Sequence, residues 1–306
     1  MNPKSPGVSI IIPVHNEEEN IQPLQQAINS AFKDVEYSYE VIWVNDGSTD
    51  GTSLELSAVQ DGEVKVYSND TCRGQSQSIY EGYLKTRYDL VATIDGDGQN
   101  DPSDLPKMIE ILRNDLSIDF VQGKRTARKD HFFSRIFLSR VANLVTRLLM
   151  RIEITDLGCG TKVFRDKVME NIPIRGEMHR LYAAHAFVHK FKIVEIDVNH
   201  LPRLHGKSKY GVSRVFKFFF DLFFVKFQYQ IQNRPIYLFG KIATFLFLVG
   251  TILFFTSLGL RVFGFKNYLD STLIIGAILV YALSMISIFL GLLADLLIRL
   301  SMRSNI

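Results

Sequence analysis

Two long uncharged stretches in the C-terminal part of the chain constrain its fold most strongly. They are IATFLFLVGTILFFTSLGL, residues 242–260, and STLIIGAILVYALSMISIFLGLLA, residues 271–294. Each stretch is long enough to cross the hydrocarbon core of a bilayer, about 30 Å, as a helix. We therefore predict a transmembrane hairpin over residues 236–306, with spans at about 240–261 and 271–296. The alternative is a buried helical pair in a soluble core, but such helices usually interrupt the apolar run with polar residues.

Basic residues before the hairpin predict its orientation. Residues 123–151 contain eight Lys or Arg and one acidic residue, and residues 203–234 contain seven and one, although the formal net charge of the whole chain is only +3. The connector between the two spans is short, so the segments before and after the hairpin should lie on one side. Because cations favour the cytoplasmic side, we predict a multi-pass protein of the inner, or cytoplasmic, membrane with its large N-terminal part in the cytoplasm. The segment MNPKSPG lacks the apolar region of a signal peptide.

The first hundred residues alternate short apolar runs with stretches that read as helices. Predicted strands lie at residues 8–14, 40–46, 64–69 and 90–95. They are β-branched and almost continuously apolar, which is typical of strands covered on both faces. The alternation predicts an α/β domain with a mostly parallel sheet, in which ligands bind beyond the carboxyl ends of the strands. Asn16, with Glu19 three residues later, fits a helix cap with a returning carboxylate.

Polar side chains collect where these predicted strands end. They lie in residues 15–17, 45–48, 69–75 and 95–99. Taken singly, such residues could cap the helices that follow, since Asp and Asn are favoured at caps. Asp95 and Asp97 would repel each other unless a cation lay between them, and a divalent ion with oxygen ligands, which also bridges a diphosphate, removes that repulsion. The stretch VATIDGDGQNDP therefore predicts a metal and diphosphate site.

Three common site motifs do not fit the sequence. A calcium loop counted from Asp95 needs Asp or Asn at its fifth position, Gly at its sixth and Glu at its twelfth, where the chain has Gln99, Asn100 and Pro106. The sequence has no P-loop and no G-x-G-x-x-G fingerprint. Redox chemistry on a nicotinamide dinucleotide is therefore disfavoured.

Seven motifs in order carry a resemblance to a known family. They are IIPVHNEEENI, VNDGSTDGT, TIDGDGQNDPSDLP, GKRTARKDHFFSR, TDLGCGTKVFR, MHR and LPRLHGKSKYG. Together they resemble the inverting family 2 glycosyltransferases of the polyprenyl-phosphate, dolichol-phosphate mannose synthase-like, type. The resemblance runs from about Val8 to Gly211 and continues into the hairpin. It implies a GT-A nucleotide-binding domain over residues 1–211 and transfer of a sugar from a nucleotide sugar to a polyprenyl phosphate, with inversion of the anomeric centre.

The resemblance also implies residues for the donor side. It assigns the nucleotide sugar to Pro13, Asn16, Glu17, Asp46, Gly74, Gln75, Asp95 and Lys209. The first four of these would hold the nucleoside. It assigns Mg²⁺ or Mn²⁺ to Asp95, Asp97 and Gln99, and counts Asp97 and Gln99 as catalytic. Asp46 could also simply form the turn before Gly47, and Glu17 could be a first-turn carboxylate favoured by the helix dipole.

Basic residues are implied for the acceptor side. The resemblance assigns the acceptor phosphate to Arg125, Arg135, Arg203, Lys207 and Ser208, and counts the first two as catalytic. A guanidinium group presents a planar fork that suits phosphate oxygens. Arg135 lies in an amphipathic stretch, about residues 132–150, that we predict to lie on the membrane surface as an interfacial helix. Residues 212–235 form a second predicted interfacial or juxtamembrane helix.

Two residues of these motifs receive no chemistry. Asp156 in the TDLGCG turn would orient an arginine or shape its loop, and a lone histidine such as His179 is more often structural than catalytic.

Expected partners are a nucleotide sugar, a polyprenyl phosphate lipid and the membrane, with no nucleic acid. A UDP-sugar donor and undecaprenyl phosphate are favoured by the resemblance, GDP-mannose also fits, and a homo-oligomer is left open.

Two other functions compete with the lipid-linked transferase. A processive polysaccharide synthase would share Asp46 and the Asp95 and Asp97 pair, but it requires a Q-x-x-R-W motif, and the only tryptophan is Trp43 in a predicted strand. A membrane-anchored module that only binds sugar nucleotides would leave the aspartate pair and the basic acceptor-side residues without a purpose.

Overall fold

The computed structural model describes residues 4–125, 152, 154–170, 172, 178–202, 213–263 and 268–304. The chain forms two compact units, Met1–Val225 and Lys226–Ile306. The predicted domain boundaries near residues 211 and 235 stay a prediction, as does the interfacial helix at about 132–150, which lies outside the described residues.

A seven-stranded sheet organises the first unit. Its described strands are β1 (Ser5–Val14), β2 (Tyr39–Asn45), β3 (Val64–Ser68), β4 (Tyr88–Thr93), β5 (Phe120–Arg125), β6 (Lys162–Arg165) and β7 (Ile193–Val198). Its described helices are α1 (Glu18–Ala31), α2 (Thr52–Val59), α3 (Gln75–Tyr83), α4 (Asp104–Asn114), α5 (Asp166–Met169) and α6 (Tyr182–Val188), preceded by a 3₁₀ turn at Met178–Leu181.

The strand order is β3-β2-β1-β4-β6-β5-β7. Among these seven strands, β6 alone runs against its neighbours, pairing antiparallel with both β4 and β5. The other pairs are parallel. The predicted α/β fold with a mostly parallel sheet is confirmed, and each of the four predicted strands is present, with β1 beginning at Ser5 rather than Val8.

Helices cover both faces of the central strand β1. Ile10, Ile11 and Ile12 are consecutive and all fully buried, and consecutive strand residues point to opposite faces. On the face of Ile11, helix α3 packs very closely, because a Cβ atom at Gly82 would lie only 2.6 Å from the Ile11 side chain. Full burial of such a side chain is worth about 1.5–3 kcal/mol, so this doubly covered strand gives the carboxyl edge of the sheet a rigid base.

Three long helices end the described chain: α7 (Ser213–Asn233), α8 (Pro235–Val262) and α9 (Tyr268–Ser304). Segments Pro235–Val262 and Thr272–Leu300 are long and apolar enough to cross a membrane, with mean hydropathies of 2.1 and 2.6, and only 11% of each most apolar stretch is buried. A core helix of a soluble domain would be mostly buried instead. The two predicted spans lie within these helices.

Small residues line the contact between α8 and α9. At intervals of seven residues, they are Ala243, Gly250 and Ser257 on α8 and Ala277, Ser284 and Gly291 on α9, and all six are buried. The Ser284 hydroxyl donates to the Ala243 carbonyl at 2.8 Å. In lipid, small residues let helix backbones approach closely and side-chain hydrogen bonds add to the contact, so the hairpin has a defined seam and leaves its large apolar side chains outside.

Candidate active site

The polar loops predicted at the strand ends meet at one edge of the sheet. Strands β1 and β4 are neighbours although β2 and β3 lie between them in sequence, and this reversal of strand order is where open α/β sheets bind ligands. The loop after β1 lies beside the loop after β2 on one side and the loop after β4 on the other.

The loops after β1 and β2 are joined by hydrogen bonds. The Thr49 backbone N–H donates to Asn16 Oδ1 at 2.8 Å, and the Asn16 N–H donates to Ser48 Oγ at 3.0 Å. The predicted cap at Asn16 is wrong: α1 begins at Glu18 with Glu17 as its cap residue and no side-chain cap hydrogen bond, and Asn16 has a φ of 55°. The Asn16 side chain instead joins the two loops. Its Oδ1 accepts from the Thr49 backbone N–H, a hydrogen bond that would compete with capping of the helix.

Pro13 and Glu17 flank this joint. Pro13 is buried in β1 opposite Val44 of β2. Glu17 accepts a hydrogen bond from the Asn20 side chain at 2.6 Å through Oε2, and its N–H donates to Thr52 Oγ1 at 2.9 Å. Both residues lie at the predicted nucleoside side of the edge, and their contact with a nucleoside stays a prediction.

Asp46 holds the loop that leads into α3. Its two carboxylate oxygens accept from the backbone N–H groups of Arg73 and Gly74, at 2.8 Å each, and from the Cys72 thiol and the Asn69 side chain, at 3.3 Å each. Burial raises the pKa of Asp46, but these hydrogen bonds outweigh burial and lower the pKa below its ordinary value. Asp46 therefore does more than form a turn: it fixes the start of α3.

Gln75, the first residue of α3, connects this loop to the aspartate pair. Its Nε2 donates to Asp95 Oδ1 at 2.7 Å, and the Gln99 backbone N–H donates to Asp97 Oδ1 at 3.2 Å. The pKa of Asp95 is raised, chiefly by burial and next by the negative charge of Asp97, while the positive charge of Lys162 opposes both. The predicted repulsion between the two aspartates is therefore present.

Asp95 and Asp97 fit a divalent cation by the chemistry of their donors. Within the described part of the chain, no group of three or more His, Cys, Asp or Glu residues converges as a metal site. Mg²⁺ is usually bound through one or two carboxylates, with phosphate and water oxygens completing the shell. A carboxylate whose ionisation is opposed by the charge of a second carboxylate two residues away suits such a cation, and the side-chain role predicted for Gln99 stays a prediction.

The segment after β7 supports the back of this loop. The Leu201 backbone N–H donates to the Gln99 carbonyl at 2.7 Å, and Asn100 forms a β-bridge with His200. The Asn199 backbone N–H donates to Asp104 at 2.7 Å. The chain therefore contacts the loop of the aspartate pair immediately before it enters the basic segment RLHGKSKYG.

Arg125, at the end of β5, is held by Asp156. Its Nε and Nη2 donate to the two oxygens of Asp156 at 2.7 and 2.8 Å. Burial lowers the pKa of Arg125, but the hydrogen bonds and charge of Asp156 raise it overall. Glu195 accepts from the backbone N–H groups of Thr155 and Asp156, both at 2.8 Å. The orienting contact predicted for Asp156 is present, while a contact of Arg125 with phosphate stays a prediction.

The turn of residues 156–160 contacts both sides of the site. A Cβ atom at Gly158 would lie 3.3 Å from Arg125 Nη2, and one at Gly160 would lie 2.2 Å from Asp95 Oδ2. The Thr93 hydroxyl donates to the Gly160 carbonyl at 3.0 Å. Sequence reasoning missed the part played by Gly160, although two glycines in the TDLGCG motif were a signal of close backbone approach.

His179 connects the MHR motif to the start of α3. The His179 backbone N–H donates to Ser76 Oγ at 3.0 Å, and its Nδ1 lies 2.8 Å from the same oxygen. The histidine is 8% exposed. These contacts agree with a structural role.

Five predicted site residues lie outside the part of the chain that the structure describes. They are Arg135, Arg203, Lys207, Ser208 and Lys209. Their assignments stay predictions.

Comparison with known proteins identifies the family. The model of the family "Glycosyl transferase family 2" matches residues 9–173. The chain is 34% identical over 242 residues to the dodecaprenyl-phosphate galacturonate synthase of Rhizobium johnstonii, covering 77% of this chain and 71% of that protein. The protein therefore belongs to glycosyl transferase family 2.

A second curated relative is an undecaprenyl-phosphate 4-deoxy-4-formamido-L-arabinose transferase from Pseudomonas fluorescens. It is 35% identical over 219 residues, which are 70% of this chain and 63% of that protein. The chain thus spans slightly less than two thirds of this relative.

Solved structures share the fold. Glucosyl-3-phosphoglycerate synthase from Mycobacterium tuberculosis, in complex with Mn²⁺, UDP and glucosyl-3-phosphoglycerate, has a TM-score of 0.56 at 16% identity, covering 74% of this chain and 80% of that chain. The same enzyme with Mg²⁺ and UDP has a TM-score of 0.57. The predicted GT-A fold is confirmed.

Proposed function

We propose that this protein transfers a sugar from a nucleotide sugar to the phosphate of a polyprenyl phosphate and inverts the anomeric centre. One observation carries the proposal: a single turn touches Asp95 through Gly160 and Arg125 through Gly158. A carboxylate pair suited to a metal diphosphate and an arginine suited to phosphate therefore share one edge of the sheet. Both curated relatives are named for polyprenyl-phosphate sugar transfer, which supports the acceptor class.

The donor would lie across the ends of β1, β2 and β4. Pro13, Asn16, Glu17 and Asp46 would hold its nucleoside, with Gly74 and Gln75 beside them. Asp95 and Asp97, with Gln99, would hold Mg²⁺ or Mn²⁺ against the diphosphate. When bound, the ion would stabilise the negative charge of the departing nucleoside diphosphate.

The acceptor needs charge compensation more than a base. A lipid phosphate is already an anion at neutral pH, so it can attack the anomeric carbon without a strong general base. Arg125, together with Arg135 and Lys209, would offset the repulsion between the two anionic reactants and hold them in line. Arg203, Lys207 and Ser208 would complete the phosphate site. One direct displacement inverts the anomeric centre.

The hairpin would place this reaction at a bilayer. Only 11% of the most apolar stretch of each of helices α8 and α9 is buried, and a bilayer would cover the exposed apolar side chains. The excess of Lys and Arg before the hairpin favours a cytoplasmic catalytic domain on the inner membrane. Residues 132–150 and 212–235 would lie on the membrane surface, and self-association through exposed apolar faces is compatible with this arrangement.

The sugar of the donor is proposed less specifically than the lipid class of the acceptor. The two relatives are named for different sugars, galacturonate and a formamido-arabinose, so their names favour the lipid class without selecting one sugar. We propose a UDP-sugar as the donor and undecaprenyl phosphate as the acceptor, on the family resemblance of the motifs, with GDP-mannose as the competing donor.

The test is transfer of radiolabelled sugar from a panel of UDP- and GDP-sugars to undecaprenyl phosphate in detergent, with Mn²⁺ or Mg²⁺. Wild type would be compared with Asp97→Ala, and Asp101→Asn in the same loop would be the matched control. We expect a metal-dependent lipid product from wild type and the control, with loss of at least about 100-fold in Asp97→Ala. If no donor gives a lipid product while sugar nucleotides still bind, the acceptor class is wrong.

A further inference from the structure

A row of polar side chains crosses the sheet next to the turn of residues 156–160. Lys162 of β6 lies opposite Thr93 of β4 on one side and Gln122 of β5 on the other. Gln122 in turn lies opposite Glu195 of β7. Residues opposite each other on paired strands share one face of the sheet. These four residues, the polar row, therefore lie on one face and come from four neighbouring strands.

The two ends of the polar row hold the two ends of the turn. The Thr93 hydroxyl donates to the Gly160 carbonyl at 3.0 Å. Glu195 accepts from the backbone N–H groups of Thr155 and Asp156 at 2.8 Å each. The first contact fixes the last residue of the turn, and the second fixes its beginning.

The two middle members hold the centre of the turn. Lys162 Nζ donates to the Cys159 carbonyl, a contact that needs an N–H donor and no charge. Gln122 Nε2 donates to the carbonyls of Asp156 and Cys159 at 3.1 and 3.4 Å. The same nitrogen donates to the Gly123 carbonyl at 3.1 Å, and three carbonyl oxygens around one nitrogen fix the orientation of the amide, since its own oxygen would repel them.

The polar row carries a cost in stability. Gln122 is fully buried, and its Oε1 has no hydrogen-bond partner within the described part of the chain, which is destabilising. Two residues along each strand, away from the turn, the same face of the same four strands carries only apolar side chains: Val91, Phe164, Phe120 and Ile193. Polar side chains replace apolar ones where the turn lies against the sheet.

This turn touches both sides of the site. Its Gly160 lies against the Asp95 carboxylate, and its Asp156 binds Arg125 through two hydrogen bonds. We propose that the polar row sets the distance between the donor and acceptor phosphate sites, with Gln122 as its central positioning residue. This inference rests on the proposed function, which places the donor's diphosphate at Asp95 and the acceptor's phosphate at Arg125.

The experiment measures steady-state kinetics of sugar transfer to undecaprenyl phosphate by the full chain in detergent, varying each substrate in turn. Three variants each remove the contacts of one member: Thr93→Val, Gln122→Met and Glu195→Met. Gln25→Met is the matched control, because Gln25 is also a buried glutamine but accepts from the Trp43 indole N–H, at 2.8 Å, in the other half of the sheet. The melting temperature of each variant is measured alongside.

The substrate affected should depend on which end of the polar row is changed. Thr93→Val should raise the KM of the nucleotide sugar at least about threefold, and Glu195→Met should raise the KM of undecaprenyl phosphate by a similar factor. Gln122→Met should lower kcat at least about tenfold, because both ends of the turn shift and the reactants lose their alignment. Gln25→Met should lose stability, since it leaves a buried N–H unpaired, but its kcat and both KM values should stay within about twofold of wild type.

Three results would overturn the proposal: wild-type kinetics in Gln122→Met, an equal loss of rate in Gln25→Met, or the same substrate affected in both end variants. Each would mean that the polar row contributes only to general stability. If Gln122→Met does not fold, the two end variants decide by the last criterion.

Failure of the proposed function has a different signature, because wild type would then form no lipid product. Calorimetry with Mn²⁺ and UDP or GDP still tests the polar row in that case. Thr93→Val should bind the nucleotide more weakly than Glu195→Met does, and equal binding in the two variants would contradict the proposal.

Discussion

The proposed donor and acceptor sides of the sheet edge are built differently. On the donor side, Asn16 and Asp46 bind backbone N–H groups of neighbouring loops, so polar side chains fix the course of the chain. On the acceptor side, Arg125 is held by the carboxylate of Asp156, whose own backbone is fixed by Glu195. A hydrogen-bonded loop cannot adapt without losing several bonds, whereas Arg125, whose side chain is still 16% exposed, can exchange one anion for another. We therefore expect the proposed donor side to be the rigid half and the proposed acceptor side to respond to a phosphate.

Replacing Gly160 by alanine should cause the largest loss in the rate of sugar transfer. The new Cβ would lie 2.2 Å from Asp95 Oδ2, so the carboxylate must move out of place, and a displacement of about 1 Å in a catalytic constellation costs about 100-fold in rate. Gly158→Ala is the matched control, since its Cβ would lie 3.3 Å from Arg125 Nη2, a terminal atom that can shift slightly. Rates of sugar transfer measure both, and equal losses would contradict a donor side that is more rigid than the acceptor side.

Asp156→Asn should have the next largest effect and should be confined to the acceptor side. Arg125 would lose its charged partner, and truncation of one member of a largely buried charge pair typically costs 2–5 kcal/mol of interaction. We expect the KM for polyprenyl phosphate to change at least about tenfold, while UDP binding measured by calorimetry stays as in wild type. Weakened UDP binding in this variant would show that the two sides are not independent.

Asp46→Asn should have the smallest effect of the three and should depend on pH. An amide in place of the carboxylate would lose at least one of the two bonds from the N–H groups of Arg73 and Gly74, which costs about 1–3 kcal/mol for a buried donor left unpaired. Because the pKa of Asp46 is lowered in the folded protein, its stabilisation is complete above the unfolded value of about 3.9 and is lost as the pH falls through the folded pKa.

Thermal unfolding of wild type and Asp46→Asn at several pH values measures this effect. The difference in melting temperature should be constant near neutral pH and should narrow only in strong acid. A difference that instead disappears between pH 5 and pH 7 would mean that another group, with a higher pKa, controls the loop of residues 69–74.

Local sequence was enough to predict the strands and the loops of the proposed donor side. Each of strands β1 to β4 is a short apolar run that ends directly in its polar loop, and in a parallel sheet these ends must meet. The cap at Asn16 was wrong because a partner from another loop, Thr49, competed with the local capping pattern. The hairpin was predictable because no charge interrupts its two runs.

The acceptor side was less accessible to sequence reasoning. Strand β6 has only four residues, too few for a recognisable alternation. Its antiparallel pairing with β4, which the sequence does not indicate, brings Gly160 beside Asp95. Glu195 holds the Thr155 and Asp156 backbone across a long separation in sequence, which no local pattern indicates. The pair of Arg125 and Asp156 could be suggested only because both residues lie in motifs of the family resemblance.

The reversed direction of β6 has a consequence for how such enzymes can diverge. The other strands bring their carboxyl ends to the site, whereas β6 brings its amino end. The turn of residues 156–160, which precedes β6, therefore lies at the same edge as the loops that follow the parallel strands. The two ends of that turn are therefore under different constraints, because Gly158 lies against the terminal atoms of Arg125 whereas Gly160 lies against the Asp95 carboxylate. We expect related enzymes to vary at the Gly158 end, beside the proposed acceptor, and to keep a residue without a side chain at the position of Gly160.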